Sequence, residues 1–439
     1  MDVKKLFKGV AVIIDDEIND NRASIKKILD QLDKEFIPCV KFDKLPDKEV
    51  VKSLQNASFI LLDWILDVSL TQDNRDLGVR LPEEVTNSNI SRNIEFLKEV
   101  QSNCFCPIFI FSNENVDNIK LTLQRARLYK SGSCNNILLR SKSDFEKDGS
   151  FYKALEDWLR DVAPIYLLKE WETAYLKSKS NLFIDFQKRS PNWAKILWNA
   201  YKSDNDNPCL ELGDLISRSI TTQMMPLPLD SSVFQNQEEC KDSKELLHCL
   251  ERQCYVHNDF LDGNAPEVGD VFKVNNDYYV NIRPSCDLIS RDGTPIDDID
   301  LYLLKPEILK KMEAIHSHYD EGRGNFKEGN VHCMIFPVCE GRLFHFMFKE
   351  LYQKKWRDLK NNREGRLLPP FITKLQMKYS YYLQRQGFPK IPKEIFSNVP
   401  VQVEEIPCKT MSEDYSLKEL WVLFLRCLKK IIIKYKIIV

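Results

Sequence analysis

The sequence predicts an α/β chain. A doubly wound parallel sheet of five strands comes first, then a helical segment, then a mixed α+β module on a small antiparallel β-barrel or half-barrel. Three observations lead there. Apolar runs without polar alternation, at 10–14, 58–62 and 107–111, mark strands buried on both faces. Amphipathic stretches alternate with such runs through residues 1–160, as crossover helices between parallel strands do. Beyond Val268 the pattern changes to short β-like runs separated by turn-rich segments.

The elements follow in order. A strand at 10–15 precedes a helix at 19–32, where Ile25, Ile28, Leu29 and Leu32 recur at helical spacing. A second strand is expected at 36–42, a short helix at 47–55 and a third strand at 58–63. A polar stretch at 67–89 is longer than most βα connections and reads as a lid, an insertion or a partner surface. A helix at 90–101 buries Ile94, Leu97 and Val100. A fourth strand at 107–111, a helix at 116–128, a fifth strand at 136–139 and a helix at 145–159 complete the domain.

Residues 161–235 form a helical connector with Trp171, Tyr175, Phe183, Phe186, Trp193, Ile196 and Trp198 as packing groups, and a boundary falls within 223–236. The β-rich module spans 236–416, with strands at 271–274, 278–282, 301–304, 331–338 and 342–348. Its last helix, at 369–386, is stopped by Gly387-Phe388-Pro389. An apolar tail with interspersed lysines occupies 417–439.

The bulk numbers exclude several classes. At 439 residues the chain has room for two or three domains. Its 43% hydrophobic and 29% charged residues describe a folded protein, and a net charge of −2 supplies no global field for nucleic acid or an anionic membrane. The start, Met1-Asp2-Val3-Lys4-Lys5, has no signal-peptide core, and no apolar run is long enough for a membrane span, so a cytoplasmic location is expected. The 13 cysteines then read as reduced thiols. Cys240, His248, Cys249, Cys254 and His257 hold enough zinc-ligand types, but their spacing fits no common zinc pattern.

The chemistry gathers at strand ends. Asp15 and Asp16 close the first strand and Asp63 closes the third. In an open parallel sheet the carboxyl edge is where ligands bind, and three clustered carboxylates suit a hard cation such as Mg²⁺. Ser112 ends the fourth strand and Lys142 lies just beyond the fifth. With these five residues, the region 8–160 resembles the receiver domain of bacterial two-component response regulators. That family carries an acidic pair after strand one, an acceptor Asp after strand three, Ser or Thr after strand four and Lys after strand five.

The resemblance implies a flavodoxin-like strand order of 2-1-3-4-5 and Mg²⁺ held by Asp15, Asp16 and Asp63. It implies a phosphoryl group accepted on Asp63, with Lys142 and Ser112 contacting its oxygens. Two features depart from the family: Ser143 stands where a proline usually follows the lysine, and the 67–89 stretch is long. Arg140, two residues before Lys142, is an alternative for the cationic position.

In the C-terminal half, the run 278–288 presents Cys286 and Asp287 after a strand. Cys286 reads first as a buried thiol with Asp287 capping a turn. A nucleophilic cysteine would need one of His316, His318, His332 or His345 beside it. His316-Ser317-His318 near Asp320 and Glu321 reads as a solvated loop before a metal site. Ser285-Cys286-Asp287-Leu288 and the Arg385-x-Gly387-x-Pro389 run resemble a module found with atypical receivers in bacterial conflict and phage-defence loci. No helix-turn-helix with a basic recognition helix is present, so DNA-binding output is not expected.

The leading expectation is a phosphorelay protein. A histidine kinase or GHKL-type ATPase phosphorylates Asp63, and the receiver switches a C-terminal module or a separate effector protein, with no nucleic-acid or membrane partner. One alternative is a phosphate sink or adaptor without catalytic output. Another is a receiver-gated enzyme using Cys286 and Asp287.

Overall fold

The computed structural model describes residues 2–20, 24–66, 83–132, 134–145, 149–203, 207–235, 241–261, 265–290, 294–309, 312–329, 331–387 and 389–393. The calls on 67–82, on the 417–439 tail and on Cys240 lie outside the described residues. By internal contacts, residues 1–380 form one compact unit and 381–439 a second.

The N-terminal sheet is parallel, in the order β2-β1-β3-β4-β5. Its strands are β1 (Val10–Ile14), β2 (Cys39–Phe42), β3 (Ala57–Asp63), β4 (Ile108–Ser112) and β5 (Ile137–Ser141). Every residue of β3 and β4 is buried, whereas β2 and β5 at the edges are partly open. Those two strands, with β1, are the ones whose sequences lack alternation. The period of two still sorts their side chains between faces. Ala11, Ile13, Phe59, Leu61, Phe109 and Phe111 pack with the helices Ser24–Lys34 and Ser150–Asp161. Val12, Ile14, Ile60, Leu62, Ile108 and Ile110 pack on the other face with Glu83–Asn103 and Val116–Arg125. This is a flavodoxin-like, doubly wound domain.

One helix begins earlier than its apolar residues suggest. It starts at Glu83, not near Ile90, so the last part of the expected loop is helical. Asn87 and Ser88 are exposed on it, which is why an apolar-periodicity reading passes over them.

Helix Ala163–Arg189 follows directly and docks its first turns on the Phe59 face through Ile165 and Tyr166. Lys169 is buried there. Its Nζ donates to Ser58 O and Ser58 Oγ, both at 3.0 Å, and to Glu172 Oε2 at 2.6 Å. These bonds fix the helix to the start of β3, the edge opposite Asp63. Helices Trp193–Ser203 and Pro208–Met224 continue the connector, with Leu182, Ile220 and Met224 forming its small core.

The second sheet has seven antiparallel strands in the order β12-β13-β9-β8-β7-β14-β6. They are β6 (Tyr255–His257), β7 (Asp270–Val274), β8 (Asp277–Asn281), β9 (Asp300–Leu309), β12 (His332–Val338), β13 (Arg342–Lys355) and β14 (Arg363–Leu367), while β10 (Tyr319–Asp320) and β11 (Asn325–Phe326) make a separate hairpin. The edge strands β6 and β12 do not pair with each other, so the sheet is an open half-barrel and not a closed barrel. β9 and β13 run further than the apolar pattern predicts because charged residues such as Lys305, Glu307, Lys349 and Glu350 interrupt their apolar runs. A buried ion cluster links β7 to β14. Asp270, fully buried, accepts from Arg366 Nε at 2.7 Å and lies 3.8 Å from Arg363 Nη1. The last helix among the described residues is Phe371–Gln384.

Candidate functional site

Register brings the predicted residues to one edge. Ile14 pairs with Leu62, Asp63 with Phe111 and Ser112 with Ser141, so β1, β3, β4 and β5 end nearly level. Asp15 and Asp16 follow β1, Asp63 and Ser112 are the last residues of their strands, and Lys142 follows β5. Asp15, Asp63, Ser112 and Lys142 are all buried and Asp16 is half-buried.

Lys142 lies at the centre of this pocket. Its Nζ donates to Asp63 Oδ2 at 2.7 Å and to Asp15 Oδ2 at 3.2 Å, with Glu17 Oε2 at 3.7 Å. Arg140 is directed elsewhere, donating from Nη1 to the Leu139 carbonyl at 3.1 Å. Of the two cations the sequence left open, Lys142 is the one in the pocket. Ser143, which replaces the usual proline, hydrogen-bonds through its hydroxyl to Ser141 Oγ at 2.8 Å and does not displace the lysine.

Backbone donors orient the carboxylates. Asp15 Oδ1 accepts from the Glu17 N–H at 2.8 Å and Asp63 Oδ1 from the Ile65 N–H at 3.3 Å. Ser112 Oγ accepts from the Glu114 N–H at 3.1 Å. Three residues on, Asn115 caps helix Val116–Arg125 by accepting from the N–H groups of Asp117 and Asn118. The Ser112 turn is therefore pinned at both ends. Helix Glu83–Asn103 supports the far side, where Asn93 Nδ2 donates to the Trp64 carbonyl at 2.5 Å.

The electrostatics are unbalanced. Burial, with Asp15 and Asp16 adding to it against the pull of Lys142, pushes the Asp63 carboxyl up to about 7. Burial also raises Asp15. For Lys142 burial works downward, but Asp63, Asp15 and Glu17 outweigh it and hold the ammonium above its ordinary value. The common cause is an excess of negative charge: three carboxylates face one ammonium. Asp15, Asp16 and Asp63 each offer an oxygen, and these atoms lie within 4.8 Å of one another, the only such ligand group among the described residues. The donor set is all carboxylate oxygen and under-neutralised, which fits a hard divalent cation.

Other candidates are not assembled. Cys286 is exposed, in the turn Ser285–Asp287, with Sγ 3.5 Å from Asp287 Oδ1. It lies beyond the end of β8, where Arg283 donates to the Asp300 carbonyl. His345 pairs with Glu307 at the other end of β9. At about 3.3 Å per residue, seven residues of strand separate the two sites by roughly 20 Å. The expectation of a buried Cys286 is thus corrected, and no histidine is brought to it. Cys254 is buried, its thiol pushed up to about 12 by burial, whereas Cys249 is exposed; among the described residues the only gathered cluster of possible metal ligands is the acidic trio. Sequence reasoning missed Glu17 and Lys169. Glu17 directly follows the acidic pair Asp15-Asp16, and Lys169 carries no local signal.

No family model matches the chain, and no curated protein matches it. Among solved structures, it is similar to a de novo designed Rossmann 2x3 fold protein at 14% identity and a TM-score of 0.19, over 35% of this chain and 90% of that one. No helix of the described residues is long and apolar enough to cross a membrane.

Proposed function

We propose that the N-terminal domain is a phosphoryl-acceptor switch of the receiver type, with Asp63 as the nucleophile. The observation that carries this reading is the Asp63–Lys142 contact of 2.7 Å, at the carboxyl edge of a 2-1-3-4-5 sheet and beside Asp15 and Asp16. A metal site alone does not need a lysine between its ligands. A phosphoryl acceptor does, because the ammonium can pass from the carboxylates to the incoming oxygens.

In this reading Asp63 Oδ attacks the phosphorus of a phosphohistidine on a histidine kinase or GHKL-type ATPase. The P–N bond breaks, the imidazole leaves with its electron pair and takes up a proton, and an acyl phosphate remains. Mg²⁺ held by Asp15, Asp16 and Asp63 would offset the charge of the phosphoryl group. Lys142 turns from Asp15 and Asp63 to a phosphoryl oxygen. The Ser112 hydroxyl donates to another, drawing in the turn that Asn115 connects to helix Val116–Arg125. That movement biases the β4 surface between two states. The half-barrel module or a separate effector protein receives the change.

The test is treatment with acetyl phosphate and Mg²⁺ followed by intact-mass measurement. Wild type is expected to gain one base-labile phosphoryl adduct and Asp63→Asn none. Equal labelling of the two, or no labelling when a control receiver is labelled, would sink the proposal.

A further inference from the structure

Three histidines far apart in sequence meet at one end of the half-barrel. His332 opens β12 and His345 lies on β13, where Met347 and Met334 are their respective cross-strand partners. They are therefore diagonal neighbours on one face of the hairpin. His318 ends the helix Met312–His318, and its carbonyl accepts from the Lys327 N–H at 2.7 Å, which fixes where the chain leaves the helix. The ring centroids are 5.8 Å apart for His318–His332, 5.6 Å for His318–His345 and 5.4 Å for His332–His345.

That near-equilateral triangle has a specific meaning. With a Zn–N bond of about 2.1 Å, each imidazole centroid lies about 3.2 Å from the metal, and tetrahedral angles put centroids about 5.2 Å apart. The observed spacings exceed this by only a few tenths of an ångström. The Cβ–Cγ axis passes close to the ring centroid, so rotation about χ2 swings the nitrogens while leaving the centroids in place. The centroids thus measure the site even though the donor nitrogens are not yet gathered as those of the acidic trio are. This torsion is soft in histidine.

Two of the rings also lack hydrogen-bond partners for buried nitrogens. His345 is buried, and neither of its nitrogens has a hydrogen-bond partner among the described residues; the same holds for His332 Nε2. Unsatisfied buried nitrogens are costly and call for an explanation. The His332 ring is packed over Gly329, where an added Cβ would fall 2.4 Å from Cε1. Glu307 Oε2 stands 3.8 Å from His345 Nδ1, outside a hydrogen bond but placed to take that N–H on a small ring movement. A carboxylate there leaves Nε2 as the metal-facing nitrogen. Burial, followed by the neighbouring histidines, lowers His345, and burial followed by His318 lowers His332, the direction that favours the neutral, ligating form.

From this juxtaposition we infer that His318, His332 and His345 form a three-histidine site for a borderline divalent cation of the Zn²⁺ class, with Glu307 orienting His345. Three protein nitrogens leave a fourth position open for water or a ligand atom. The site is independent of the acidic pocket. Imidazole nitrogen and carboxylate oxygen select different metals, so each can be probed while the other is held constant.

The experiment uses the full chain stripped of metal and titrated with Co²⁺ in excess Mg²⁺, read by visible absorption, then with Zn²⁺ by calorimetry. Wild type is expected to develop the intense bands of tetrahedral Co²⁺ at one equivalent, displaced by Zn²⁺. His332→Ala and His345→Ala should abolish them, Glu307→Gln should weaken binding about 10-fold, and Asp63→Asn should leave them unchanged. His318→Ala, at a half-buried helix end, decides the matter if the strand variants fail to fold. Absence of tetrahedral bands in wild type overturns the inference, as does their survival in His318→Ala. A cluster that only titrates, with a thermal midpoint sensitive to pH but not to Zn²⁺, overturns it equally.

Discussion

Replacing Asp63 with Asn isolates the charge imbalance of the acidic pocket. Without a cation, burial holds the Asp63 carboxyl up at about 7 in the folded protein, against its ordinary value of 3.8. Between those values the folded state holds a proton that the unfolded chain has released. Stability therefore falls as pH rises, by up to about 1.4 kcal/mol per unit. From about pH 5 to about pH 8 the loss is about 3 kcal/mol. Lys142 keeps its proton throughout this window and adds no slope. Asn cannot ionise, so the variant lacks the loss and leaves Asp15 beside one fewer like charge. Scanning fluorimetry in EDTA should show Asp63→Asn gaining on wild type by about 5–10 °C in Tm between those pH values. Mg²⁺ should close the gap by stabilising wild type selectively. Parallel Tm curves, or a gap that narrows as pH rises, would refute the assignment of a buried, under-neutralised carboxylate.

Four further outcomes follow from the same contacts. Lys142→Met should cost about 3 kcal/mol or more at pH above about 8, because it leaves Asp15 and Asp63 buried without their cation, and less near pH 5, where Asp63 is protonated; chemical denaturation at both pH values checks this. Arg140→Ala should leave both Mg²⁺ affinity and adduct formation within about twofold of wild type, since among the described residues Arg140 bonds the Leu139 carbonyl and not the carboxylates; a large loss would return the cationic role to Arg140. Asp270→Ala should destabilise the chain by about 3–5 kcal/mol by stranding Arg366, read as a drop in denaturant midpoint without a change in adduct formation. Asn115→Ala, which removes a helix cap, should cost about 1 kcal/mol in the same assay.

The parallel domain was legible because its physics is local. Strands buried on both faces must be apolar along their middles, and 59–62 and 108–111 are. Functional groups must then appear where the runs stop, which is where Asp63 and Ser112 stand. Choosing Lys142 over Arg140 needed three dimensions, because both lie near the same strand end and only side-chain direction separates them. The half-barrel was harder. β6 has three residues, and β14 is Arg-Glu-Gly-Arg-Leu, whose arginines turn inward to Asp270. Neither carries an apolar signature. The histidine triangle joins positions 318, 332 and 345 through a helix end and a hairpin register, which spacing alone does not encode.

The most direct test of the acidic pocket is to locate the phosphoryl group. Wild-type protein treated with acetyl phosphate and Mg²⁺ is reduced with borohydride, which converts an aspartyl phosphate to homoserine, and its peptides are sequenced by mass spectrometry. Homoserine at position 63, dependent on Mg²⁺ and absent from Lys142→Met, is the predicted result. Unmodified Asp63 under conditions that convert a control receiver, or conversion at another carboxylate, would contradict it.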